Sequence, residues 1–265
     1  MRKLQLVIPA AGLGSRFSMV GMTTPKPVID VDGLPMIAWV IGNFNLRPTD
    51  VVIIVTRPEI GLSEILLPYL CAFQCRVEFV CIDYVTEGPA ITVSLAKAML
   101  DLDEALIVAN SDQYVSAGLD EFLNQARYSS SGGQILTMAA SGSKWSYVKR
   151  NPAGNVSEVK EKVEISSEAT VGIYGWNKAS YFFESLESMI AADDRTNGEF
   201  YVAPTYNYLL ERAVPISATN IGDVEREVHG LGTPEDLEIF QAHPDLKNFS
   251  NSVKTNLGLS GVSLE

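Results

Sequence analysis

The chain is short of the residues that staple secreted domains or build metal centres: 265 residues hold three cysteines and two histidines. An odd set of cysteines, Cys71, Cys75 and Cys81, set among apolar neighbours argues against a disulfide framework and for buried free thiols. Cys71 and Cys75 are spaced as a zinc pair would be, yet His229 and His243 lie far along the chain. Long apolar runs are missing as well, so no segment matches the length of a bilayer span. The start, MRKLQLVIPAAG, runs straight into a strand pattern, so a cytoplasmic location without a membrane partner is expected. Positive charge is scarce: 20 Lys and Arg against 32 Asp and Glu leave a net charge of −12. That balance repels nucleic acid and anionic membrane surfaces at long range. A small anionic ligand remains compatible with it, because a few local cations and backbone N–H groups dominate a pocket.

What the sequence does have is alternation. LQLVIPA, VVIIVT, CRVEFVCID and ALIVANSD are short, β-rich apolar runs, and each is followed by a helical pattern. Four such units predict right-handed crossovers and a mainly parallel sheet covered on both faces, an α/β fold with three layers, α/β/α. In such a sheet, functional residues gather in loops at the carboxyl ends of strands. The turn after LQLVIPA lies at that edge, and so does Asp112.

Beyond about residue 134 the pattern changes. QILTMAAS and the two halves of YVKRNPAGNVSEVKEKVE, folded at NPAGN, predict an antiparallel addition. ATVGIYGW reads as a further strand, followed by a helix from Lys178 to about Ala192. GEFYVAPTYNYLLERA reads as helical in its later part, and TPEDLEIFQAH as a last helix capped by Thr233 with Pro234 in its first turn. From Lys247 onward the chain is polar and rich in Ser and Asn, which predicts a mobile or loosely docked tail. Whether Leu264-Glu265 is native or appended is left open by the sequence.

The densest signal is Leu4 to Pro27. An apolar strand ends in Ala10-Ala11-Gly12-Leu13-Gly14-Ser15-Arg16, and Pro25-Lys26-Pro27 follows. Glycines let backbone approach a phosphate-bearing ligand closely, and Arg16 and Lys26 set two cations beside the turn. A dinucleotide fingerprint is not met, since Phe17 stands where a third glycine belongs, and no G-K-[ST] completes a P-loop.

This ordered set, with Pro35-Met36-Ile37 after it, resembles the sugar-phosphate nucleotidylyltransferases. The resemblance implies a Rossmann-like nucleotide-diphospho-sugar transferase fold over residues 1–246, with a nucleotide half to about 133, an acceptor half from about 134, and a tail at 247–265. It implies an enzyme that transfers a nucleotidyl group from an NTP to a sugar 1-phosphate or similar acceptor. By the same resemblance pyrophosphate would leave, and the NDP-sugar would serve surface polysaccharide synthesis. Ala10, Ala11, Gly12, Gly14 and Ser15 would wrap the nucleotide, with Glu87 and Gly88 near the base. Arg16 and Lys26 would hold phosphates, Asp112 would bind Mg²⁺, and Lys162 would grip the acceptor phosphate. Glu161, Thr170, Gly172 and Glu199 would contact the sugar. A homo-oligomer is compatible with all of this.

Three departures accompany the resemblance. Val163 replaces a proline after Glu161-Lys162, Thr170 replaces an asparagine, and Gly230 stands where an aspartate is the family's second metal ligand. The expected resolution is Mg²⁺ held by Asp112, phosphates and water, since Mg²⁺ needs only one or two carboxylates. The alternatives are that Asp223, Glu225, Glu227 or His229 reaches in, or that the site binds nucleotide with little turnover. The departures point to a capsule or lipopolysaccharide branch. Two other readings stand beside the leading one: a glycosyltransferase of the related fold, and a non-catalytic nucleotide or sugar-nucleotide binder.

Overall fold

Strands that are apolar on both faces need cover on both, and the chain supplies it. The computed structural model describes residues 2–70 and 72–259. In chain order, β1 (Leu4–Pro9) leads through α1 (Ser15–Ser18), β2 (Asp30–Val31), β3 (Leu34–Pro35) and α2 (Met36–Gly42) to β4 (Val51–Thr56). Then come α3 (Leu62–Leu70), β5 (Arg76–Cys81), α4 (Pro89–Ser94), β6 (Ala105–Ala109), β7 (Gln113–Val115) and α5 (Leu119–Tyr128). The second half adds β8 (Gly133–Ala139), β9 (Ser146–Arg150), β10 (Val156–Glu161), β11 (Glu168–Trp176), α6 (Ala179–Ala191) and α7 (Thr205–Glu211). After these follow β12 (Ile216–Asp223), β13 (Val228–Gly230), α8 (Pro234–Gln241) and α9 (Leu246–Asn256).

Strands β5, β4, β1 and β6 lie side by side and parallel. β11 joins β6 antiparallel, β8 joins β11 antiparallel, and β12 runs parallel to β8. The expected β9–β10 hairpin branches from β11 where Ala169 pairs with Tyr147. The result is a mixed, mainly parallel central sheet flanked by helices. Alternate residues of β1 and β4 feed two cores: Leu4, Leu6, Ile8, Val52 and Ile54 on one face, and Val7, Val51, Ile53 and Val55 on the other. Because β4 and β5 lie on one side of β1 and β6 on the other, the chain reverses its winding at β1. The loops leaving β1 and β6 therefore part and open a crevice at the carboxyl edge, where ligands of such sheets bind.

Two expectations are corrected. The polar stretch from Lys247 is no loose tail: α9 docks on α2, with Val253, Leu257 and Leu259 buried in the core. Phe249, Val253 and Leu257 recur every four residues, an apolar stripe thin enough to be masked by the polar composition. Gly42 permits the contact, since a Cβ there would lie 2.7 Å from Val253 Cγ1, and Asn256 Nδ2 donates to the Gly42 carbonyl at 2.9 Å. Cys75 is buried, which pushes its thiol up to about 12, but Cys81 is exposed at the end of edge strand β5. Leu264-Glu265 and Cys71 lie outside the described residues. Among the described residues, no helix is long and apolar enough to cross a membrane.

Candidate functional site

The turn after β1 and the turn after β6 leave neighbouring parallel strands, so their residues meet at one crevice. A cavity of about 240 Å³ is lined by Ala10, Gly12, Gly14, Lys26 and Asp112. A second, of about 490 Å³, is lined by Arg16, Asp112, Glu161, Lys162, Thr170 and Gly172. Asp112, Asn110 and Pro89 line both, so the two volumes share a wall at the end of β6.

At that wall Lys26 Nζ donates to Asp112 Oδ2 at 2.6 Å, with the two side chains 19% and 23% exposed. Gly14 adopts a left-handed conformation (φ 63°), and a Cβ on it would lie 3.2 Å from Lys26 Cβ. The turn thus passes Lys26 with no room to spare. Asp112 is pressed from a third direction by the loop after β13. Leu231 N donates to the Asp112 carbonyl at 2.8 Å, and a Cβ on Gly232 would lie 2.5 Å from Asp112 Oδ2.

On the other side of the larger cavity, Lys162 closes β10 in a left-handed backbone conformation (φ 57°). Its ammonium sits over the Tyr201 ring, 4.3 Å from the centroid, and donates to the Tyr201 hydroxyl. That hydroxyl donates in turn to Glu199 Oε2 at 2.6 Å. Burial, reinforced by the Glu199 carboxylate, holds the phenol protonated well above its ordinary range. Glu161 is buried and accepts from Ser146 Oγ. Burial raises its carboxyl above the ordinary value, while Ser146 and Lys162 pull the other way. Thr170 Oγ1 lies 2.9 Å from the Tyr174 hydroxyl. Gly172 is left-handed (φ 89°), and a Cβ there would strike Asn110 Nδ2 at 2.3 Å.

The remaining residues singled out by the sequence line neither cavity. Ala11 is buried in the core beneath the turn, and Ser15 opens α1 on the surface. Glu87 pairs with Arg195 at 2.6 Å. Gly88 (φ 117°) packs on the Phe200 backbone, where a Cβ would lie 2.5 Å from the carbonyl oxygen. Glu199 touches Tyr201, a residue that sequence reasoning misses although it adjoins the G-E-F element. Gln113 is missed as well: it lines the larger cavity, is 6% exposed, and its Nε2 has no hydrogen-bond partner.

Gly230 faces another carboxylate, since a Cβ there would lie 3.3 Å from Asp236 Oδ2. Two of the neighbours considered as substitutes, His229 and Glu227, line neither cavity. His229 is buried among Tyr114, Phe240 and Phe249, and Glu227 Oε2 accepts from Asp223 N at 2.8 Å. Among the described residues no group of three or more His, Cys, Asp or Glu is placed to hold a metal. Asp112 is the carboxylate that lines both cavities, so it is the residue that would hold a Mg²⁺ whose remaining ligands are phosphate oxygens and water. The Lys26 ammonium already beside Asp112 marks a carboxylate placed against positive charge.

Three comparisons bear on this arrangement. Mannose-1-phosphate guanyltransferase of Aspergillus oryzae is 28% identical over 184 residues, which cover 66% of this chain and 50% of that protein. The chain spans about half the length of the curated guanyltransferases it matches. The nucleoside-diphosphate-sugar pyrophosphorylase from Vibrio cholerae superposes with a TM-score of 0.79 at 24% identity, covering 90% of this chain and all of that one. The inositol-1-phosphate CTP transferase of T. maritima gives a TM-score of 0.73 at 13% identity, with 99% of both chains covered. These two likenesses speak to the fold. The profile of one family, described as nucleotidyl transferase, matches residues 5–203, from β1 through the glycine turn, Asp112, Lys162 and Tyr201. Both cavities are built mostly within that span, and the chain belongs to the nucleotidyl transferase family.

Proposed function

We propose that the chain transfers a nucleotidyl group from a nucleoside triphosphate to the phosphate of a sugar 1-phosphate or sugar-like acceptor, releasing pyrophosphate. The observation that carries this reading is Asp112 on the wall common to two cavities, with Lys26 on one side and Arg16 and Lys162 lining the other. Two anionic substrates meeting at a carboxylate, each with its own cations, is the arrangement that joining two phosphates requires.

The smaller cavity, with its glycine turn, takes the triphosphate, and backbone approach at Gly12 and Gly14 brings N–H groups to phosphate oxygens. The larger takes the acceptor. Lys162, held by Tyr201 and Glu199, fixes the acceptor phosphate, while Glu161, Thr170 and the backbone at Gly172 face the rest of it. Phosphoryl-type transfer needs little covalent help from protein, so the work is positioning and neutralisation of charge. The acceptor oxygen bonds to the α-phosphorus as the bond to the α–β bridging oxygen breaks, and Arg16 and Lys26 balance the charge that gathers there. Mg²⁺ would be held by Asp112 together with phosphate oxygens and water, and would supply further neutralisation. The matched guanyltransferases are named for mannose 1-phosphate, which supports a sugar 1-phosphate as the acceptor class. The product is an activated donor of the kind consumed in polysaccharide assembly.

The test is pyrophosphate release from each of the four NTPs with Mg²⁺ and a panel of sugar 1-phosphates. Release with a defined NTP and acceptor pair is expected. No release with any pair, from protein shown to be folded, removes the reading.

A further inference from the structure

A third cavity, of about 150 Å³, lies against the glycine turn. It is lined by Gly12, Gly14, Thr23, Thr24, Lys26 and Arg57. Lys26 lines both this cavity and the 240 Å³ one, so the two run on from each other across one ammonium. Arg57 is the first residue after β4, the strand next to β1, and so stands at the same carboxyl edge as the turn. Its Nη1 pairs with the half-exposed Glu59 at 3.0 Å, while its Nε is buried with no hydrogen-bond partner. A buried guanidinium N–H without an acceptor is costly, and the guanidinium that carries it belongs to a residue lining the cavity.

The volume is well below the ~300 Å³ at which whole small-molecule ligands are usually housed, so it suits a fragment of a ligand. Two cations, two threonines and glycine backbone around a small space match phosphate oxygens, and the Arg fork matches them in two-point geometry.

We propose that Arg57 is a further residue, beyond the glycine turn and Lys26, that holds the terminal diphosphate of the nucleoside triphosphate, the part that departs as pyrophosphate. The inference rests on the nucleotidyl-transfer reading above and extends it to a residue that reading does not use. The bond from the α-phosphorus to its bridging oxygen breaks, the bridging oxygen keeps the electron pair, and the diphosphate leaves with Arg57 and Lys26 beside it. Arg57 then distinguishes triphosphates from monophosphates and makes pyrophosphate a product inhibitor.

The experiment is calorimetric titration of the full chain with inorganic pyrophosphate and, separately, with nucleoside monophosphates. Arg57→Gln is expected to weaken pyrophosphate binding by about tenfold or more, the range for losing a charge-assisted hydrogen bond. Monophosphate affinity should stay within about twofold. Arg57→Lys, which keeps the charge and loses the fork, should fall between wild type and Arg57→Gln, and decides the matter if Arg57→Gln does not fold. Glu59→Gln should bind pyrophosphate as tightly as wild type or more so. Pyrophosphate affinity unchanged in both Arg57 variants overturns the proposal, as does equal loss of pyrophosphate and monophosphate binding, or a wild type that binds no pyrophosphate. Should wild type bind pyrophosphate through Arg57 and yet release none from any NTP and acceptor pair, the diphosphate site stands and the nucleotidyl-transfer reading falls.

Discussion

Gly232 tests whether the placement of Asp112 matters as argued. No positive φ is needed at this position, so alanine fits the backbone, and the conflict is confined to one side chain: the new Cβ would lie 2.5 Å from Asp112 Oδ2 and 3.2 Å from its Cγ. Ordinary contact begins near 3.4 Å, so the carboxylate must retreat by about 1 Å. Asp112 is short, and Lys26 holds its Oδ2 at 2.6 Å, so the retreat stretches or breaks that pair. A partly exposed ion pair contributes on the order of 1 kcal/mol or less. The thermal midpoint should therefore fall by only about 2–4 °C. Catalysis is far more sensitive: a 1 Å misplacement of a positioning group costs about 10²-fold, or roughly 2.7 kcal/mol of barrier. Gly232→Ala should thus be folded and about a hundredfold slower in initial-rate pyrophosphate release at saturating substrates, with Asp112→Asn as the reference for full loss. A Gly232→Ala protein within about threefold of the wild-type rate would refute the reasoning that Asp112 must sit where it does.

Other outcomes follow from the same geometry. Gly12 has no positive φ, and a Cβ there would meet nothing within 4 Å, so Gly12→Ala should leave the thermal midpoint unchanged while raising the KM for NTP by about tenfold; an unchanged KM means no ligand approaches there. Tyr201→Phe keeps the ring under the Lys162 ammonium but removes the hydroxyl between Lys162 and Glu199. The KM for the acceptor should rise by about three- to thirtyfold with a smaller change in the KM for NTP, and equal changes in both would contradict the assignment of Lys162 to the acceptor. Burial, with His243 adding to it, lowers the His229 pKa from 6.5 to about 4. The native imidazole therefore stays neutral where the unfolded one takes a proton, so stability present above pH 6.5 is lost as pH falls toward 4, by up to about 3 kcal/mol. Urea unfolding from pH 8 to pH 4 should show that slope in wild type and a shallower one in His229→Phe.

The sequence displays most clearly what local chemistry decides. Val51 to Thr56 is buried at every position, as a strand covered on both faces requires, and the run VVIIVT says as much. Thr233 and Pro234 announce the start of α8, and Thr233 Oγ1 does accept from Asp236 N at 3.1 Å. Arg16, Lys26, Asp112 and Lys162 come from separate segments, yet the order of their motifs marks them as one set, and the fold gathers them around one crevice. What escapes depends on partners distant in sequence. Glu87 looks like a free carboxylate near a base until Arg195 is seen to take it, and Gly88 is required by the backbone of Phe200, far along the chain. Tyr201 carries no signal of its own, since an aromatic after G-E-F reads as core, and only its place between Lys162 and Glu199 gives it a role. The stripe of α9 is hidden by Ser, Asn and Lys on its outer faces, and its docking depends on the bare surface at Gly42.

On the proposed function, a nucleotidyl group passes between two phosphates at Asp112. The most direct measurement uses NTP radiolabelled at the α-phosphorus, Mg²⁺ and the acceptor phosphate, with label and pyrophosphate followed together. The label is expected in a nucleotide-linked sugar, with one pyrophosphate released per labelled product. Label recovered only as unreacted NTP or as free nucleoside monophosphate, or sugar transferred from a supplied NDP-sugar without pyrophosphate chemistry, would contradict it.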